Sequence, residues 1–190
     1  MNWRLKINEI EKCLQQLSVL RQGCEDNIPV DDAFGIWIDM TIRIREEKRT
    51  IFLIGNGASA SMASHVSADL AKNGHVHTEV FSDLSLITAI ANDLSYDQVF
   101  AEPLRRRMKP GDMLVAISSS GQSANVLRAA EEARKWDGVV VTLSAMKKEN
   151  SLSAKGDLNF HVPATTYGLA ETCHAAILHH WIDKIVERNS

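Results

Sequence analysis

IFLIGNGASASMASHVSADLAK, residues 51–72, runs from four apolar residues through a Gly-Asn-Gly turn into a stretch of helical periodicity. A short apolar run closed by glycine and followed by an amphipathic segment reads as a buried strand feeding a crossover helix. VAISSSGQSANVLRAA, residues 115–130, repeats the design about sixty residues later, with Ser118, Ser119, Ser120 and Ser123 crowded into its turn. Working outward, further apolar runs give strand candidates at 50–54, 77–81, 113–117, 139–143 and 158–162. Helical patterns fill the gaps at 59–72, 84–92, 95–107 and 123–136, with a last helix at 169–188. Strands alternating with helices in this way predict βαβ units and a mostly parallel five-stranded sheet covered on both faces. Ahead of it, Leu5, Ile7, Ile10, Leu14, Leu17 and Leu20 predict a helix over 2–22. Pro29 and the Asp31-Asp32 pair open a second helix running to about residue 48. Together these two are expected to form an N-terminal helical hairpin.

With 190 residues the chain is long enough for one well-buried domain and short for two, so residues 1–190 are taken as one unit: the hairpin at 1–48 and an α/β core at 49–190. A net charge of −3 argues against a nucleic-acid surface. The three cysteines, Cys13, Cys24 and Cys173, are odd in number and lack metal-type spacing, which fits reduced thiols and a cytoplasmic protein. No apolar run has the length of a membrane span, and the first residues alternate charged with apolar side chains, unlike a signal peptide.

Ligands of an open parallel sheet sit beyond the carboxyl ends of its strands, where both serine-rich turns fall. Each turn leads into a helix whose first N–H groups lack intrahelical partners and whose dipole favours an anion. Gly55, Gly57 and Gly121 allow tight turns and close approach to a ligand. The hydroxyls of Ser59, Ser118, Ser119, Ser120 and Ser123 are donors to phosphate oxygens. Ser59 and Ser123 could each be read as plain helix caps. That reading leaves Ser118, Ser119 and Ser120 without a reason to arrive together. A dinucleotide site is the weaker rival, since GNGAS lacks the third glycine of its fingerprint, GxxxxGK[ST] is absent, and Glu79 as ribose ligand is better read as an ordinary strand residue.

GNGAS followed by a helix, and ISSSGQSANV after a strand, resemble the sugar isomerase (SIS) domain. Within that group the chain is most similar to phosphoheptose isomerases over nearly its whole length, including IANDLSYDQVF and the final helix. The resemblance implies a flavodoxin-like three-layer sandwich, a homotetramer with the N-terminal hairpin in its interfaces, and active sites built where subunits meet. It also implies phosphate-binding roles for Ser59, Ser118, Ser119, Ser120 and Ser123, and substrate contacts from Asn56, Gly57 and Asp93. The family's His-x-x-x-Glu becomes His65-Val-Ser-Ala-Asp69 here. Its Gln-x-x-His followed by a catalytic His becomes Glu171-Thr-Cys-His174 and then His179. An Asp that the family often has ahead of that Gln is Gly168.

The implied reaction converts sedoheptulose 7-phosphate to glycero-manno-heptose 7-phosphate, for surface-glycan heptose, by proton transfer through an enediol. It needs a base and an acid whose surroundings set their pKa values apart. Asp69 is the expected base and His179 the acid or relay between oxygens. Asp69 is one methylene shorter than the family's Glu. His65 and Asp69 share a helix face, four residues apart. With Glu171 and His179 they make an expected two-imidazole, two-carboxylate zinc site, one ion per subunit, with Glu171 also a substrate contact. One straight helix, however, sets Glu171 and His179 about 12 Å apart along its axis. His65–Asp69 alone could equally be a surface ion pair. Two alternatives remain open: an isomerase of another ketose phosphate, and a non-catalytic SIS protein, either a sugar-phosphate binder or an adaptor of the kind associated with the replication initiator. Ionisable side chains at the acid–base positions favour the enzyme. No nucleic acid and no membrane are expected as partners.

Overall fold

The computed structural model describes residues 2–188; residues 1, 189 and 190, the outermost positions of the expected domain, lie outside the described residues. The chain runs α1 (Trp3–Gln15), β1 (Ser18–Arg21), β2 (Asn27–Ile28), α2 (Val30–Glu46), β3 (Thr50–Gly55), α3 (Ala58–Asn73), β4 (His77–Val80), α4 (Leu84–Asp93), a 3-10 turn (Tyr96–Gln98), α5 (Ala101–Arg107), β5 (Met113–Ser118), α6 (Ala124–Lys135), β6 (Val139–Ala145), β7 (Leu158–Val162) and α7 (Tyr167–Glu187).

The sheet has seven strands in the order β2-β1-β7-β6-β5-β3-β4. Five of them, β3 to β7, pair in parallel, as the apolar runs predict. The expectation of five strands and a helical hairpin is corrected at the N-terminus. Residues 18–21 leave the helical pattern and pair antiparallel with β7, Val19 opposite Phe160, and β2 then folds back on β1. Val19 is wholly buried in that pairing. β7 would otherwise be an open edge, and its unpaired backbone groups reward any strand that covers them over a continuing helix. The expected helix at 95–107 is likewise split into the 3-10 turn and α5.

Alternation along the strands divides the core into two layers. Ile51, Leu53, Val115, Ile117, Val141 and Leu143 face α2, α3 and α7 on one side. Phe52, Ile54, Leu114, Ala116 and Val140 face α5 and α6 on the other. Trp37 of α2 stacks on Trp181 of α7 at 4.1 Å, and the Trp181 indole N–H donates to Thr41 Oγ1 at 3.1 Å. Neighbouring strands β3 and β5 therefore send their following helices, α3 and α6, to opposite faces. Such a reversal opens a crevice at the strands' carboxyl ends, and both serine-rich turns border it.

Candidate active site

Gly57 begins the first turn at φ 56°, ψ −123°, a conformation that L side chains rarely adopt, and stands at the N-cap of α3 without a side-chain cap bond. A Cβ on Gly55 would lie 2.5 Å from the Cβ of Ser59, so glycine there lets α3 start directly over the end of β3. Ser59 is not a cap. It is the second residue of α3, and only 5% exposed.

In the second turn Ser123 does occupy the N-cap of α6, yet its hydroxyl caps nothing. Instead Ser123 Oγ lies 3.1 Å from Ser118 Oγ. Ser120 Oγ accepts from the Gln122 N–H, rounding the turn, and Ser118 and Ser119 are buried at its base. Gly121 has φ 63°, and a Cβ on it would overlap the side chain of Asn150. Asn150 ties the 146–154 segment behind the turn: its Nδ2 donates to Ser144 Oγ at 3.0 Å, and its Oδ1 accepts from Leu152 N and Ser153 N. The Leu152 N–H in turn donates to the Gly121 carbonyl at 3.0 Å.

Behind the turn, Ser144 of β6 pairs in register with Ser118. Its carbonyl accepts from Nε2–H of His174, which is fully buried on α7. Burial pushes the His174 imidazole down to about pH 4, so it stays neutral and adds no charge beneath the turn. The turns thus present hydroxyls, backbone N–H groups and two helix N-termini to the crevice, a neutral donor set of the kind that suits an anion.

An amide pair joins the two turns. Asn56 Nδ2 donates to Asn125 Oδ1 at 2.9 Å, and Asn125 Nδ2 donates back to Asn56 Oδ1 at 2.9 Å. The Tyr96 hydroxyl donates to the same Asn56 oxygen at 3.0 Å. Neither Asn125 nor Tyr96 stands out in sequence. The available signal is an Asn within the first glycine turn and another just after the second, but only folding brings the two side chains together across the crevice. Asp93 ends α4, exposed, with its Oδ1 accepting from Asn92. Glu79, the residue on which a ribose site would depend, is an ion-pair partner of Arg107 at 3.0 Å.

His65, Asp69 and His179 come together on α3 and α7. His65 Nε2 lies 3.3 Å from Asp69 Oδ2, the two imidazole rings are 5.4 Å apart, and one ligand atom from each residue falls within 4.8 Å of the others. Glu171 does not join them. α7 is one helix from Tyr167 to Glu187, so Glu171 and His179 stay about 12 Å apart along its axis. A groove beside this triad is lined by Lys72, His75, Asp183 and Glu187. Two further histidines lie apart from this cluster: His180 packs edge-on against Phe34 at 4.6 Å, and His77 contacts Thr50 Oγ1 at 3.0 Å.

A model of the SIS domain matches residues 31–145. A phosphoheptose isomerase of Shewanella denitrificans is 34% identical over 145 residues, 72% of this chain and 74% of that protein. The structure of a phosphoheptose isomerase from Neisseria gonorrhoeae superposes with a TM-score of 0.83 at 27% identity, covering 96% of each chain. One from Francisella tularensis gives 0.82 at 22% identity over 98% of this chain and 100% of that one, a likeness of fold.

Proposed function

The chain belongs to the SIS-domain family, and we infer that it is an aldose–ketose isomerase converting sedoheptulose 7-phosphate to glycero-manno-heptose 7-phosphate. The observation that carries this is the pair of hydroxyl-lined turns at the switch point together with a carboxylate–imidazole cluster on the adjoining helices. In this reading the whole chain acts as one SIS domain. Ser59, Ser118, Ser119, Ser120 and Ser123 hold the phosphate, and Asn56, Gly57 and Asp93 contact the sugar. Asp69 takes a proton from the carbon beside the ketose carbonyl and returns it to the neighbouring carbon. His179 carries the proton between the two oxygens, so that the enediol forms and collapses without net charge.

Two imidazoles and a carboxylate converging with an open side fit a divalent ion such as zinc, held by His65, Asp69 and His179. Bound there, it would supply Lewis-acid polarisation of the sugar oxygens. Glu171 as a fourth ligand or substrate contact would have to come from a neighbouring subunit.

Distance also argues for a shared site. Ser59 and Asp69 are ten residues apart on α3, about 15 Å of helix axis. A single chain thus holds its cradle and its triad well apart along one helix. In this reading the phosphate turns of one chain serve the triad of another, within the homotetramer. Trp3, Leu5 and Ile7, exposed on α1, supply apolar surface for such packing. Free Cys13, Cys24 and Cys173 suit a cytoplasmic protein, and among the described residues no helix is long and apolar enough to cross a membrane.

Proton NMR of the protein with sedoheptulose 7-phosphate in D2O, with added zinc and with chelator, tests the reading. Deuterium entering the carbon next to the carbonyl, with aldoheptose signals appearing, is expected. Binding without exchange, across a panel of ketose phosphates, would make the protein a sugar-phosphate binder instead.

A further inference from the structure

Asn125 is 2% exposed, on the first turn of α6, and its side chain reaches across the crevice to the first turn. Its Oδ1 accepts from Asn56 Nδ2 and from the Val126 N–H, while its Nδ2 donates to Asn56 Oδ1. Asn56 Oδ1 accepts a second bond from the Tyr96 hydroxyl. Tyr96 opens the 3-10 turn three residues after Asp93, and its ring is otherwise exposed. Three segments that the isomerase reading uses separately meet at this node: the turn of Asn56 to Ser59, the helix that follows the serine turn, and the segment carrying Asp93.

We propose that Asn125 and Tyr96 are positioning residues that fix the separation of the two phosphate-facing turns and dock the Asp93 segment against the first of them. A reciprocal amide pair fixes both side chains, because each must present oxygen to the other's N–H. It leaves Asn56 one N–H for a ligand, held in a set orientation by three hydrogen bonds from two residues. Burial of Asn125 in the crevice wall strengthens these bonds and makes losing one partner costly, because the other is then left unsatisfied. The two turns otherwise hang on separate helices that leave the sheet on opposite faces, so the node ties them directly, side chain to side chain. The kinetic part of the proposal rests on the isomerase reading; the mechanical part does not.

The test uses the full chain as Asn125→Ala, Asn125→Asp and Tyr96→Phe. By hydrogen–deuterium exchange of the substrate-free protein, Asn125→Ala is expected to speed exchange in both 56–61 and 93–99, with α2 and β7 unchanged. A rise confined to 124–127 overturns the proposal. In the isomerase assay kcat is expected to fall about tenfold for Asn125→Ala, since sub-ångström displacement of reacting carbons is enough for that. Inhibition by inorganic phosphate should change less than about twofold, because the serines remain. Asn125→Asp keeps the shape but cannot donate to Asn56 Oδ1, so it should match Asn125→Ala. If it behaves as wild type, the side chain is only packing and the proposal falls. Tyr96→Phe should show the faster exchange in 93–99 alone. If the wild-type protein isomerises no ketose phosphate, the isomerase reading fails, and the exchange pattern still decides the node.

Discussion

His174 shows at the residue scale how a histidine beside a candidate site can be structural. Its Nε2–H is spent on the Ser144 carbonyl, and its Nδ1 is buried without a partner among the described residues. The folded protein keeps it neutral down to about pH 4, whereas an unfolded chain protonates histidine below about pH 6.5. Between those values the unfolded state binds more protons, so stability falls as pH falls through the window, by on the order of 3 kcal/mol in full. Burial lowers His161 in the same direction. His174→Gln keeps a donor for Ser144 and removes the titration. Thermal unfolding at pH 7.5 and pH 5 should then show a smaller loss of Tm in the variant than in wild type. An equal loss would assign the acid sensitivity to His161 and the carboxylates. By contrast, the short reach of Asp69 is matched by its place beside His65 and His179, where helix packing and not side-chain length brings the carboxylate to the cluster.

At the scale of elements, the serine turn is held from behind by the 146–154 segment. Asn150 fills the space that a side chain on residue 121 would need, and Gly121 needs its positive φ as well. Gly121→Ala therefore meets two obstacles, steric and conformational, and should cost about 2–4 kcal/mol of stability. It should also weaken binding of inorganic phosphate, read by isothermal calorimetry on the folded variant. Retained phosphate affinity would mean that the turn's shape does not govern the cradle. The β1–β2 ribbon does a different job, closing the β7 edge, and its length is set by that pairing and not by local propensity.

For the whole molecule the decisive distance is the span of α3 between Ser59 and Asp69. If cradle and triad come from different chains, two inactive variants can repair each other. Asp69→Asn leaves the cradle intact; Ser120→Asp repels phosphate and leaves the triad intact. Oligomers reassembled from the mixed variants should regain proton exchange that neither shows alone. Continued inactivity of mixed oligomers, verified by mass, would place the complete site within one chain.

The strand-turn-helix units were legible in the sequence because buried parallel strands must be short apolar runs and their turns must carry glycine and serine. β3 to β7, the two turns and the His65–Asp69 helix face follow from that local chemistry alone. Tertiary structure decided the rest. Residues 18–21 have enough apolar character for a helix, and only the presence of an open β7 edge made them a strand. Asn125 and Tyr96 lie 69 and 40 positions from Asn56, and no periodicity links side chains at that range. The straightness of α7 separated Glu171 from His179, although the motif carries both. Local sequence sets which element forms and what chemistry it displays; which side chains meet is set by how the sheet twists, where its edges close and to which face each helix departs.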